Sequence, residues 1–183
     1  MGVIDELVSA NRAATEAGDG RDATVSGTPS RGVAIVTCMD CRLDLPRALG
    51  LAVGEAHVLR NAGGVITDDV IRSLALSQHK LGTREVMLIH HDNCGMQTVS
   101  DDGFREELRE ATGVAPAFAI ESFTDVEADV RQSVLRVRRS HFLPHRDAVR
   151  GFVYDVDTHA LREIAVAEGD GAGGDSGPDT ERD

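Results

Sequence analysis

One stretch constrains this chain more than any other: Val33-Ala34-Ile35-Val36-Thr37-Cys38-Met39-Asp40-Cys41-Arg42. A β-branched apolar run of this kind predicts a buried strand, and it ends in a thiol, a carboxylate, a second thiol and a guanidinium. Further along, Glu85-Val86-Met87-Leu88-Ile89-His90 repeats the design and ends in His91-Asp92-Asn93-Cys94. In open parallel sheets, ligands collect beyond the carboxyl ends of strands where the strand order reverses, so neighbouring strands can bring Cys38, His91 and Cys94 together. Thiolates and imidazole select zinc, and three protein ligands leave a fourth position for water or substrate.

The elements around these strands follow from periodicity and punctuation. Ile4, Leu7, Val8 and Asn11 share one face of an amphipathic N-terminal helix, ended by Gly18-Asp19-Gly20. A polar linker follows to Gly32. Leu43 to Leu49 reads as a helical turn, Ala56 to Arg60 as a second strand, and Asn61-Ala62-Gly63-Gly64 as a tight turn that could let backbone approach a metal pocket. Thr67 caps a helix with Val70, Leu74, Ser77 and Leu81 on one face, stopped by Gly82, so a strand, helix, strand unit makes the sheet parallel at its centre. Phe104, Leu108 and Ala111 mark another helix, Ala117 to Ile120 a short strand, and Thr124-x-x-Glu127 a capping box before the Val126, Val130, Val134, Val137 helix. Gly151 to Val156 and Leu161 to Val166 read as an antiparallel addition near an edge. The expected architecture is α/β: a central, mostly parallel β-sheet flanked by helices, with that antiparallel edge addition and an N-terminal helical arm.

A chain of 183 residues suits one zinc-binding domain over 1-167, comprising an arm at 1-17, a linker at 18-32 and the body, followed by a disordered acidic tail at 168-183. Three cysteines, with no apolar leader after Met1, argue for reduced thiols and a cytoplasmic location rather than a disulfide framework. There is no apolar run long enough to span a bilayer. A formal net charge of −12 with one lysine, Lys80, argues against nucleic acid as a partner. His57 and His159 lack a ligand pattern, Pro144 keeps His141 and His145 off one helical face, the helix dipole accounts for His79, and His90 points to the face of its strand opposite the cluster.

The pair of motifs Cys38-x-Asp40-x-Arg42 and His91-x-x-Cys94-Gly95 resembles the β-class carbonic anhydrases, from about the first strand to the final hairpin. The resemblance implies reversible hydration of carbon dioxide to bicarbonate and a proton, by attack of hydroxide on Zn2+ held by Cys38, His91 and Cys94. It also implies an arm that embraces a partner, hence a homodimer or higher homo-oligomer. Asp40 and Arg42 match the family's paired carboxylate and guanidinium. Asp40 would orient the nucleophile, Arg42 would hold Asp40, and at low pH Asp40 would become a fourth zinc ligand in a closed state. Two thiolates neutralise the metal formally, which makes its water harder to deprotonate and favours alkaline conditions. Cys41 stands where the family commonly has Ser or Ala, no Gln precedes Cys38, and Trp is absent.

Two other readings stay open. The same fold and zinc could hydrolyse a sulfur analogue such as carbon disulfide, a choice that pocket access would make. Alternatively, Cys38, Cys41, His91 and Cys94 form a complete set of three thiols and one imidazole, which would close the metal in a structural or thiol-sensing site.

Overall fold

A computed structural model of the chain describes residues 2–18 and 25–167; the expected acidic tail at 168–183 lies outside the described residues. Strands β1 (Val33–Cys38), β2 (Ala56–Asn61), β3 (Glu85–His91), β4 (Val149–Tyr154) and β5 (Leu161–Ile164) form one sheet in the order β2-β1-β3-β4-β5. β1 pairs in parallel with both β2 and β3, β3 pairs in parallel with β4, and β5 returns antiparallel to β4. The chain leaves β1 towards β2 on one side and leaves β3 towards β4 on the other. The order therefore reverses between β1 and β3, and a crevice opens at their carboxyl ends.

Both faces of the central strands are covered, which is why β1 reads as continuously apolar. Ala34, Val36, Val86 and Leu88 pack on one face with Val70 and Leu74 of α3 (Asp68–Leu81) and Val134 and Val137 of α5 (Val126–Arg139). Ile35, Ile89 and Tyr154 face the other way, towards Leu45 of the short helix α2 (Leu45–Leu49) and towards Leu43, Val65 and Phe123 from irregular segments. Local chemistry sets the helix ends. Thr67 accepts from the Val70 N–H, and Gly82 ends α3 in the left-handed conformation. Ser100 caps α4 (Asp101–Thr112), which stops at Gly113.

Two local readings are corrected. Ala117 to Ile120 is not a strand. Pro116 brings no N–H, and side chains of α4 take up nearby main-chain groups: Arg105 donates to the carbonyls of Pro116 (2.6 Å) and Phe118 (3.5 Å), and Asp101 accepts from the Ser122 N–H (2.8 Å). The cap of α5 is Asp125, which accepts from Glu127 and Ala128 N–H, rather than Thr124. A carboxylate one residue later meets the same orphan donors, with the added favour of the helix dipole.

The arm α1 (Val3–Glu16) has no buried residue, and Ile4 is 77% and Leu7 65% exposed. The described part of the linker is fastened to the body. Ser30 and Arg31 N–H groups donate to the carbonyls of Gly54 and Glu55, and His57 Nε2 lies 3.1 Å from the Gly27 carbonyl.

Candidate metal centre

At the crevice, β1 delivers Cys38 and β3 delivers His91. Register places Thr37 beside Ile89, and the Thr37 hydroxyl donates to the Ile89 carbonyl at 2.8 Å, locking the two strands together just before their reactive ends. After His91 the backbone turns sharply: Asn93 adopts φ 51° and Asp92 N–H donates to the Tyr154 carbonyl. Asn is among the residues that tolerate this left-handed conformation. Gln97 then accepts from the Cys94 N–H (3.2 Å), fixing the turn that returns Cys94 to the cluster. The Sγ atoms of Cys38 and Cys94 and a ring nitrogen of His91 lie within 4.8 Å of one another, and all three residues are buried. Cys41 is exposed and stands outside this cluster.

Proton placement matches the donor set of a zinc site. His91 Nδ1 lies 2.7 Å from the Asp92 carbonyl, which can only accept, so Nδ1 carries the proton and Nε2 presents a lone pair. Nε2 is buried with no hydrogen-bond partner, an expense that a metal would relieve. Hydrogen bonding from the Cys94 thiol pulls the Cys38 thiol down to about 4 against the opposing effect of burial, with further help from His91 and the main chain of Asp40 and Gly63. The shared proton pushes Cys94 upward. Burial would lower His91, but the nearby Cys38 sulfur and the Asp92 carbonyl outweigh that and raise it. Two sulfurs and one imidazole nitrogen, one thiol held well below its ordinary range, fit zinc with one position left open.

Asp40 borders that position: its Oδ2 is 3.8 Å from His91 Nε2. Arg42 grips it with Nε on Oδ1 (2.9 Å), Nη2 on Oδ2 (2.7 Å) and its own main-chain N–H on Oδ1 (2.9 Å). The Arg42 side chain is the main cause that holds the Asp40 carboxyl well below the usual carboxylate range. The same Nη2 reaches the Asn93 carbonyl at 3.0 Å and so ties the two ligand-bearing turns together.

The 3-10 turn Ala62–Gly64 packs directly on this centre. Gly64 has φ +74°, and a Cβ there would stand 2.8 Å from the Cys38 nitrogen and 2.9 Å from the Thr37 carbonyl carbon. Only glycine allows this approach. The Gly63-Gly64 pair marks in the sequence a turn that lets backbone approach the pocket, whereas nothing local distinguishes Asn93, Gln97 and Arg60. Beside the site lies an apolar hollow of about 470 Å³, lined in part by Met39, Val65, Met96, Phe104, Phe118 and Ile120. A larger surface groove between α3 and α5 lies away from the cluster.

Four other histidines, His57, His79, His90 and His159, have partners elsewhere. His90 points away from the cluster, with Nδ1 3.1 Å from Asp129 Oδ2 and its ring 5.7 Å from that of Phe123. His57 meets Ser77, His79 the Phe142 carbonyl, and His159 the Tyr154 hydroxyl.

A family profile described as carbonic anhydrase matches residues 33–161. The chain is 53% identical over 136 residues to beta-carbonic anhydrase 1 of Mycobacterium tuberculosis, covering 74% of this chain and 83% of that protein. It is 32% identical over 164 residues to a carbon disulfide hydrolase of Acidianus sp., covering 76% and 80%. Among solved structures, the carbonic anhydrase of Streptococcus mutans superposes with a TM-score of 0.83 at 43% identity, over 90% of this chain and 99% of that one.

Proposed function

This chain belongs to the β-carbonic anhydrase family, and from that premise we propose that it interconverts carbon dioxide and bicarbonate with zinc as its cofactor. The observation that carries the reading is the buried Cys38, His91, Cys94 cluster with a gripped carboxylate at its open side. When bound, zinc supplies Lewis acidity that lowers the pKa of a coordinated water. The protein does the rest. Cys38, His91 and Cys94 would hold the metal. Asp40, with its carboxylate kept ionised by Arg42, accepts a hydrogen bond from the attacking oxygen and aims its lone pair at the substrate carbon. The apolar hollow suits an uncharged linear substrate, and bicarbonate, once formed, gains nothing from its apolar walls.

The hollow would also admit carbon disulfide, so that substrate is the second reading; 53% identity to a carbonic anhydrase against 32% to a carbon disulfide hydrolase favours hydration. The three cysteines stand as free thiols, which a reducing compartment preserves, and this supports a cytoplasmic location. The exposed apolar residues of α1 support a homodimer or higher assembly in which the arm packs on a second copy. We read 1-167 as one domain with that arm.

The test is zinc stoichiometry with stopped-flow hydration of carbon dioxide. One zinc per chain is expected, retained in Cys41→Ser and lost in Cys38→Ser, His91→Ala and Cys94→Ser, with hydration falling to background in the last three. Full zinc without hydration would refute the reading, and loss of zinc from Cys41→Ser would favour a closed structural site.

A further inference from the structure

The structure assigns to Arg60, on β2, the task of positioning the Asp40 turn for this chemistry. Its Nε donates to the Cys38 carbonyl at 2.9 Å and its Nη2 to the Asp40 carbonyl at 2.6 Å. The reason lies in where the sheet ends. Met39 N–H donates to the Asn61 carbonyl at 2.8 Å, which is the last main-chain rung between β1 and the strand carrying Arg60. Beyond it the chain must leave the sheet, yet carry a metal ligand and a carboxylate in fixed relation. Arg60 extends the ladder with a side chain. Its planar fork spans the carbonyls of two residues on either side of Met39, which a single ammonium could not do at once.

Asp40 is thereby held at both ends. Arg60 fixes its main chain from β2, while Arg42 fixes its carboxylate and reaches across to Asn93 in the other ligand turn. The two arginines divide the work: Arg42 sets which way the carboxylate points, and Arg60 sets where its Cα stands relative to Cys38. Without Arg60, the Asp40 carbonyl keeps the weaker turn bond from Leu43 N–H at 3.2 Å. The carboxylate could then shift against the metal while all three ligands stay in place. A misplacement of about 1 Å at a reacting centre can cost on the order of 100-fold in rate.

The kinetic part of this inference rests on the hydration reading, so the test includes a metal spectrum that does not. We would compare wild type, Arg60→Gln, Arg60→Lys, Asp40→Asn and Arg60→Gln in the Asp40→Asn background, each loaded with zinc for kinetics and with cobalt(II) for visible absorption. Arg60→Gln should keep one metal per chain, lose about 10- to 100-fold in kcat with KM nearly unchanged, and shift the cobalt bands. Arg60→Lys should recover part of both. In the Asp40→Asn background, Arg60→Gln should change neither by much, because residues acting as a unit are non-additive. Wild-type kcat and spectrum in Arg60→Gln, or equal losses with and without the Asp40 carboxylate, would overturn the assignment. If Arg60→Gln does not fold, a cobalt spectrum of Arg60→Lys identical to wild type overturns it equally. A wild-type protein that binds zinc without hydrating carbon dioxide overturns the functional reading alone, since the spectra still decide Arg60.

Discussion

Arg42 holds both carboxylate oxygens of Asp40, at 2.9 and 2.7 Å, in a fork that leaves Oδ2 only 3.8 Å from His91 Nε2. The carboxylate therefore stands at the edge of the ligand cluster and is held there by Arg42, where it would serve a group bound to the metal without itself becoming a ligand. Arg42→Ala should retain zinc but lose hydration, most severely near neutral pH, where hydroxide is scarce and a freed carboxylate can take the fourth position. The Asp40 pKa is depressed in the folded chain, so its contribution to stability is present above the unfolded carboxylate pKa of about 4 and is lost as pH falls towards the lower folded value. The melting difference between wild type and Arg42→Ala should accordingly narrow in acid. Hydration from about pH 6 to 9, with zinc X-ray absorption, checks the first claim, spanning the ionisation of a metal-bound water; full activity with an open site throughout would remove Arg42 from its role.

Metal binding should release fewer protons than two ordinary thiols would give. Hydrogen bonding from Cys94 holds Cys38 well below the ordinary thiol range, the same contact raises Cys94, and His91 is raised above its usual value. Calorimetry of zinc binding to the metal-free protein in buffers of different ionisation enthalpy should therefore show about one proton from Cys94 plus a fraction from His91. That fraction should decline as pH rises. A release approaching two at pH 8 and above would mean that Cys38 is not an ionised thiol before metal arrives.

Gly64→Ala should damage both stability and the metal site. The left-handed backbone costs an alanine roughly 1–2 kcal/mol, and the added Cβ meets main-chain atoms of Thr37 and Cys38 that cannot rotate away. A loss of at least about 2 kcal/mol in urea unfolding is expected, together with weaker zinc retention against a chelator. Unchanged zinc retention would separate this turn from the ligand it touches.

The arm should mediate assembly. A helix of 14 residues with nothing buried is marginal in water on its own, where isolated helices shorter than about 12–15 residues barely form. Ile4→Glu with Leu7→Glu should lower the mass measured by light scattering and leave the sheet's circular dichroism intact. A wild-type monomer at working concentration would contradict the homodimer directly.

By itself the sequence determined the strands, the main helices and the three residues of the metal cluster, because each is written in local terms. β-branched runs, 3.6-residue periodicity, caps and glycine stops act over a few residues, and Cys38, His91 and Cys94 sit at strand ends that the runs themselves mark. Tertiary structure decided what depends on which segments meet. Side chains of α4 took the main-chain groups around Ala117 to Ile120 and left no strand there, although the local pattern permitted one. The strand order put β2 beside β1, and only that adjacency lets Arg60 reach the Cys38 and Asp40 carbonyls, residues 22 and 20 positions away. Likewise Gly64 matters because its turn lies against Cys38, and Asn93 because its carbonyl meets Arg42. Such contacts leave no periodic trace in one chain, since their energy comes from groups far apart in sequence that only the assembled sheet brings within hydrogen-bonding distance.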